Sequence, residues 1–158
     1  MFGVPRTSDP NGLLTSRLLD QDDFYDVFIH DLRRSRSEVI IESPFMSLKR
    51  INQLTPSFQM LVRHRVHIII NTKHSTEQEP TYQQQFEACI ERLLDMGADV
   101  LFTGGHHRKL AILDGNILYE GSLNILSQNS SCEIMRRIES EQLAQQMVEF
   151  LKIDKFVR

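Results

Sequence analysis

The sequence alternates short apolar runs with amphipathic stretches, and this alternation is the feature that most constrains the fold. Residues 39–41, 66–70 and 99–102 form short runs that contain mainly valine, isoleucine and leucine. Runs of this length predict strands that are buried on both faces. Because a helical stretch separates each run from the next, the pattern predicts an α/β architecture.

Four further stretches predict the helices that cover these strands. Apolar residues at helical spacing, together with residues that favour helix ends, indicate where each helix begins and stops. The predicted helices are one that opens at Asp22-Asp23, one from Thr55-Pro56 to Arg63, one along the stripe from Tyr82 to Leu94 that Gly97 closes, and one that Ser140 caps.

The second half of the chain contains strands that lie close together in sequence. Residues 109–113 and 117–120 flank Asp114-Gly115-Asn116, which predicts a β-hairpin. Residues 132–138 predict another strand. Together with the first half, this order predicts an α/β fold with a mixed β-sheet that is flanked by helices on both faces.

The length of 158 residues suits one hydrophobic core. No linker or internal repeat divides the sequence, so we expect a single domain over residues 1–158. Residues 1–20 are rich in proline, glycine, asparagine and serine, and they predict a loose N-terminal leader.

The composition restricts the classes of function. A formal net charge of −3 excludes a basic surface spread over the whole chain, so any nucleic-acid contact must be local. No apolar run reaches the roughly 20 residues of a membrane span, and the start lacks the pattern of a secretory signal. Two cysteines far apart in such a chain suit a reducing compartment. We therefore expect a cytoplasmic protein with no membrane association.

One segment brings together the side chains that could carry chemistry. His107 and Lys109 are two residues apart on a predicted strand, so they point to the same side. The hairpin then returns the chain, which places Gly121, Ser122 and Asn124 near His107. An imidazole, a fixed cation and an amide donor therefore converge.

This cluster suits a phosphodiester substrate. The imidazole of His107 can attack phosphorus and form a covalent phosphohistidine. Lys109 and Asn124 can hold the non-bridging oxygens, where charge accumulates during transfer. We expect Gly121 to let the backbone pass close to the substrate.

These residues make the chain resemble the phospholipase D superfamily, whose pattern is His-x-Lys, four residues, Asp, then six residues and Gly-Ser/Gly-x-Asn. The matching positions are His107, Lys109, Asp114, Gly121, Ser122 and Asn124. The resemblance implies a phospholipase D-like sandwich over about residues 20–158. It also implies that one motif's histidine is the nucleophile, that a second motif's histidine protonates the leaving oxygen, and that no metal or other cofactor is needed.

The resemblance further implies roles for two acids. A downstream acid, matched here by Glu133, would hydrogen-bond the imidazole of the opposite motif, whereas Asp114 would tie the turn together. Only one motif is present, and two-step histidine chemistry needs two imidazoles. We therefore predict a homodimer with one composite site on its two-fold axis.

Other histidines and cations leave alternatives open. Strand alternation points His106 away from Lys109, which favours a surface or packing role, although His106 stays a fallback for the nucleophile. His64 and His67 lack partners at ligand spacing, so a zinc site is not expected. Four basic residues are candidate nucleic-acid contacts or solvated side chains: Lys49, Arg50, Lys73 and Arg108.

The sequence thus predicts a metal-independent phosphodiesterase, foremost an endonuclease that acts on DNA. Two alternatives stay open: a nuclease or DNA-binding subunit of a larger assembly with little activity alone, and a phospholipid phosphodiesterase. The chain has no tryptophan and no amphipathic surface helix rich in lysine, which disfavours the lipid alternative.

Overall fold

The computed structural model describes residues 7–8, 15–127 and 130–153. Within these ranges the chain forms one eight-stranded sheet, four α-helices and a short 3₁₀ helix at Ser75–Glu77. The elements are β1 (Thr7–Ser8), β2 (Thr15–Asp20), α1 (Phe24–Arg34), β3 (Glu38–Glu42), α2 (Leu48–Arg63), β4 (His67–Thr72), α3 (Pro80–Asp95), β5 (Asp99–Phe102), β6 (Leu110–Leu113), β7 (Ile117–Gly121), β8 (Ile134–Glu139) and α4 (Glu141–Leu151).

The sheet has the order β1-β2-β8-β7-β6-β3-β4-β5. Strands β3, β4 and β5 are parallel, and β6 joins β3 in the antiparallel direction. Strands β6, β7, β8 and β2 continue as antiparallel neighbours. The sheet is therefore mixed, which confirms the predicted fold class.

Two hydrophobic layers cover the two faces of the sheet. Val39 and Ile41 of β3 pack with α1, α2 and α3 in the larger layer, whereas Ile40 packs with α4 in the smaller one. This alternation follows from the two-residue period of a strand. It also explains why residues 39–41 of β3 are all apolar: both faces of the strand are buried there.

The predicted N-terminal leader is wrong where the structure describes it. Thr15–Asp20 forms β2, which pairs along its whole length with β8, and Leu19 is buried. The pairing supplies backbone hydrogen bonds that the local composition does not reveal. Residues 1–6 and 9–14 of the predicted leader lie outside the described ranges.

Helix α2 begins earlier than the predicted start at Thr55-Pro56. Ser47 is the N-cap, and its hydroxyl accepts a hydrogen bond from the Arg50 backbone N–H at 3.3 Å. The helix continues through Pro56 because Ile51 and other buried apolar residues hold it against the core. Thr55 is inside the helix, where its hydroxyl donates to the Ile51 carbonyl at 2.7 Å.

Candidate active site

One edge of the sheet collects the strand ends that carry the predicted site. The register pairs Glu42, the last residue of β3, with Leu110, the first residue of β6, and pairs Leu110 with Glu120 near the end of β7. Strand β8 begins at the same level, because Gly121 pairs with Met135. The loops before β6, after β7 and before β8 therefore meet at this edge, as the hairpin pattern predicted.

His107 and Lys109 lie in the loop before β6 rather than on the strand itself, which begins one residue after Lys109. His107 is exposed, and its ring makes an edge contact with the Phe45 ring at a centroid distance of 6.4 Å. The Lys109 ammonium donates a hydrogen bond to the His107 carbonyl at 2.8 Å. An accessible imidazole thus lies beside a cation that is held to the same short loop.

His106 occupies the opposite environment, and it is only 3% exposed. Its Nε2 lies 4.0 Å from the Glu42 carboxylate and has no hydrogen-bond partner among the described residues. Burial lowers the pKa of His106, and the nearby Glu42 charge only partly offsets this effect. A buried side chain cannot reach a polymeric substrate, so the packing role is favoured and the fallback as nucleophile is not supported.

A buried polar network anchors the loop that carries His107, and the sequence reasoning missed it. Glu42 is fully buried and accepts hydrogen bonds from Arg108 at 2.7 and 3.0 Å and from the Asn71 amide at 2.8 Å. The side-chain oxygen of Asn71, Oδ1, in turn accepts a hydrogen bond from the Thr103 hydroxyl at 3.0 Å. Because Thr103 and Arg108 bracket the loop, the carboxylate ties it to β3 and β4. A glutamate that ends an otherwise apolar run was the signal in the sequence.

The loop after β7 places Asn124 next to the loop after β3. The Ser47 backbone N–H donates to the Leu126 carbonyl at 3.0 Å, and the Leu126 N–H donates to the Ser43 hydroxyl at 3.2 Å. The Tyr25 hydroxyl donates to the Ile125 carbonyl at 2.8 Å. Bonds on both sides of the chain therefore fix the backbone around Asn124, which is partly exposed.

Ser122 and Glu133 lie where β7 and β8 meet. The Ile134 N–H donates to the Ser122 hydroxyl at 3.1 Å, and the Ser131 hydroxyl donates to Glu133 at 2.7 Å. The hydroxyls of Ser122 and Ser131 lower the pKa of Glu133, with a smaller contribution from the charge of Lys109. Glu133 therefore stays ionised at the same edge as Lys109, and can accept a hydrogen bond from an imidazole.

These loops lie within the part of the chain that matches a known protein family. A family model described as "Cardiolipin synthase, PLD-like domain" matches residues 28–154. The chain belongs to the phospholipase D-like family. This membership confirms the resemblance to the phospholipase D superfamily. At the level of the family, it also confirms the predicted class of enzyme, a phosphodiester hydrolase of the phospholipase D type. A comparison with curated protein sequences found no significant match.

Solved structures share the fold at low sequence identity. Nuc from Salmonella typhimurium, a phospholipase D family member, superposes with a TM-score of 0.71 at 12% identity, over 88% of this chain and 92% of Nuc. NucT from Helicobacter pylori gives a TM-score of 0.70 at 14% identity, over 88% of this chain and 94% of NucT. A phosphatidylserine synthase from Haemophilus influenzae Rd KW20 gives 0.62 at 13% identity, over 92% of this chain and 39% of the synthase.

In this phospholipase D-like chain, Asp114 lies at the end of the hairpin away from His107. Its carboxylate accepts backbone N–H bonds from Arg36 and Ser37, each at 2.8 Å, and from Glu38 at 3.1 Å. Partial burial opposes the charge of Asp114, but these donors outweigh it and lower its pKa. Asp114 therefore ties the hairpin turn to the start of β3.

Gly121 requires a correction. A Cβ atom at this position would lie 2.1 Å from the Ile134 carbonyl oxygen and 2.9 Å from the Met135 Cα. The backbone that approaches Gly121 is thus that of β8, whereas the prediction assigned the close approach to the substrate. Glycine at position 121 lets β8 pair closely with the end of β7, next to Ser122.

The four candidate nucleic-acid contacts have different surroundings. Lys49 is exposed, and Lys73 is buried with its ammonium 4.1 Å above the Phe45 ring. The Arg50 guanidinium stacks 3.4 Å from the Tyr25 ring and donates to the Ser127 carbonyl at 3.2 Å, while Glu42 holds Arg108. Arg50 and Arg108 therefore already stabilise the loops of the site, whereas Lys73 reaches it through Phe45.

The described ranges contain neither a membrane-spanning helix nor a cluster of metal ligands. No helix there is both long and apolar enough to cross a membrane. No group of three histidine, cysteine, aspartate or glutamate side chains in those ranges has the geometry to hold a metal ion.

Proposed function

We propose that this phospholipase D-like chain is a metal-independent endonuclease that acts on DNA through a covalent phosphohistidine, at a site shared by two copies of the chain. The proposal depends on one observation: His107 is exposed, its ring contacts Phe45, and the Lys109 ammonium donates to its backbone carbonyl. His106, only one residue earlier, is buried. This contrast in exposure supports His107 as the imidazole that meets the substrate.

The proposed reaction has two steps. The imidazole of His107 attacks phosphorus, the bond to the leaving oxygen breaks, and that oxygen takes a proton from the same histidine of the second copy. Water then attacks the phosphohistidine, gives its proton to the second imidazole, and releases His107. Lys109 and Asn124 stabilise the charge on the non-bridging oxygens in both steps. Glu133 accepts a hydrogen bond from the proton-transferring imidazole.

The homodimer follows from the need for two imidazoles in a chain with one motif. The surface beside the site suits such a contact, because Ile134, which follows Glu133, is 57% exposed. An exposed apolar side chain next to a symmetric catalytic group favours burial against a second copy.

Cleavage of plasmid and single-stranded DNA in excess EDTA tests the chemistry. Activity should persist with the chelator, and the His107→Ala variant should lose at least about a thousandfold in rate because the covalent path is removed. The His106→Asn variant should retain far more activity. Inactivation of the wild type by EDTA would contradict the proposal.

Analytical ultracentrifugation tests the dimer. The wild type should sediment as a dimer at the concentrations where it cleaves DNA, and Ile134→Asp should shift it towards monomer with a parallel loss of rate. A stable monomer that retains full activity would rule out a composite site.

The low net charge favours a second candidate, in which the chain is the nuclease or DNA-binding subunit of a larger assembly. At a formal net charge of −3, electrostatic attraction to DNA is weak unless a partner supplies it. Efficient cleavage by the purified chain alone would argue against this candidate. The shared fold with a phosphatidylserine synthase motivates a lipid control, in which phosphatidylcholine vesicles should release no choline.

A further inference from the structure

A cleft of about 760 Å³ opens next to the catalytic loops and is not used by the proposed chemistry. Asn124 and, from α3, Tyr82 both line it. Phe45 also lines it and contacts the His107 ring, so the cleft adjoins the proposed position of the scissile phosphate. We propose that this cleft binds an unpaired nucleobase beside the scissile phosphate and so gives the enzyme a preference for single-stranded nucleic acid. This inference rests on the proposed nuclease function.

The aromatic side chains of the cleft are exposed enough for stacking, although the Lys73 ammonium lies above one face of the Phe45 ring. Phe45 is 36% exposed and Tyr82 is 56% exposed, although large aromatic side chains are usually buried in the core. Stacking of bases on such rings is the common mode by which proteins bind single strands, and it depends little on sequence. The position of Phe45 beside His107 places this stacking within one nucleotide of the reacting phosphorus.

The charges of the cleft favour a base over a second phosphate. Near Phe45, the Lys73 ammonium is positive and suits the phosphate end of a nucleotide. Glu77 and Glu79 contribute carboxylates to the same cleft. Backbone N–H bonds from Gly105 and His74 lower the pKa of Glu77, so it remains ionised and repels phosphate. A neutral base, or one with amino donors, fits beside these carboxylates.

The same polar groups argue against a lipid chain. An acyl chain would remove water from Lys73, Asn124 and the two carboxylates without replacing their hydrogen bonds, which is unfavourable. The cleft is therefore suited to an aromatic ligand with polar edges.

The wall that carries Phe45 is held in place before any ligand binds. The Gln78 amide donates to the Pro44 carbonyl at 3.0 Å, and the Ser43 hydroxyl donates to the Phe45 carbonyl at 2.9 Å. The Gln85 carbonyl oxygen accepts from the Leu48 N–H at 3.0 Å. Because the loop is tied to the segment before α3, and the start of α2 that follows it is tied to α3, stacking costs little ordering of the protein. A base inside a duplex, in contrast, must first be unpaired and unstacked to enter.

Three substrates of the same length test the inference: a fluorescently labelled single strand, its duplex, and a strand with abasic nucleotides around one cleavage position. We expect the wild type to have a kcat/KM for the single strand at least about tenfold above those for the duplex and for the abasic position. Tyr82→Ala should lower kcat/KM on the single strand by about five- to tenfold and leave cleavage at the abasic position unchanged. Phe45→Leu should lower kcat/KM more on the single strand than at the abasic position, where only its contact with His107 is lost.

Leu94→Ala provides the matched control, since Leu94 is 52% exposed on the same helix as Tyr82 but three turns away. It should change none of the rates. Equal rates on single strand and duplex, or an equal loss on intact and abasic positions in the Phe45 and Tyr82 variants, would overturn the base-binding cleft while leaving the nuclease intact. If the wild type cleaves none of the strands, the nuclease function has failed. Fluorescence anisotropy then decides the cleft, because equal affinity for intact and abasic strands refutes it.

Discussion

The two ends of the β6–β7 hairpin belong to one sequence motif but have opposite physical character. At the turn, Asp114 accepts three backbone N–H bonds and holds the hairpin to β3. At the open end, His107 and Lys109 lie in a loop, and His107 is exposed. The Asp114 carboxylate is thus used within the fold, whereas the open end presents the His107 imidazole to solvent.

This difference separates the motif into a structural part and a chemical part. A change at the turn should alter stability and leave the chemistry of correctly folded molecules intact. A change at the open end should alter the rate and leave stability intact, because exposed side chains contribute little to folding. The predictions that follow test this separation.

The largest effect is expected at the open end, from Lys109→Met. If Lys109 stabilises the non-bridging oxygens as proposed, its loss should lower kcat by about a hundred- to a thousandfold, the range seen when one oxyanion donor is removed. The melting temperature should change by no more than a degree or two, as measured by differential scanning fluorimetry. Arg33→Met, which removes an exposed cation on α1, is the charge control and should retain full activity. A large loss of stability in Lys109→Met would break the comparison.

Local sequence signals were sufficient for the hairpin and for most strands and helices. The Asp114-Gly115-Asn116 turn has positive φ angles at Asp114 and Gly115, and only a few residue types adopt these readily. Both strands next to it are short, so their open ends had to meet. The alternation of helices with strands likewise gave the layers on both faces of the sheet.

Long-range pairing was beyond the sequence pattern. The pairing of β2 with β8 joins residues more than a hundred positions apart, and no local sequence signal near Thr15–Asp20 predicts it. The tight contact of Gly121 with β8 also depends on long-range pairing. The local sequence therefore indicates a close approach at Gly121 but not which group makes it. The burial of Glu42 depends on three neighbouring segments at once, so its role could be read only from the assembled structure.

An intermediate effect is expected from Glu42→Gln, which keeps the shape but removes the charge that holds Arg108. The open end should lose its anchor, and the free energy of unfolding should fall by about 2 kcal/mol in chemical denaturation. If Glu42 also positions His107, kcat should fall about tenfold with little change in KM, and Glu42→Asp should recover part of the rate. A purely structural role predicts that the folded fraction of the variant retains wild-type kcat.

The smallest effect is expected at the turn, from Asp114→Asn. Asparagine tolerates the φ of 53° at this position, so the change removes the charge without straining the backbone. The free energy of unfolding at pH 7 should fall by about 1 kcal/mol, because hydrogen bonds to a charged acceptor become neutral ones.

The stability difference between wild type and Asp114→Asn should depend on pH. Since the pKa of Asp114 is lower in the folded state, its stabilisation is fully present above the ordinary carboxylate pKa of about 4 and is lost as the pH falls through the folded value. The difference between wild type and Asp114→Asn should therefore shrink as denaturation is followed from pH 7 to pH 3. Unchanged kcat in the variant at pH 7 would show that the turn end acts through folding alone, whereas a fall in kcat without a loss of stability would mean that the two ends of the hairpin are coupled.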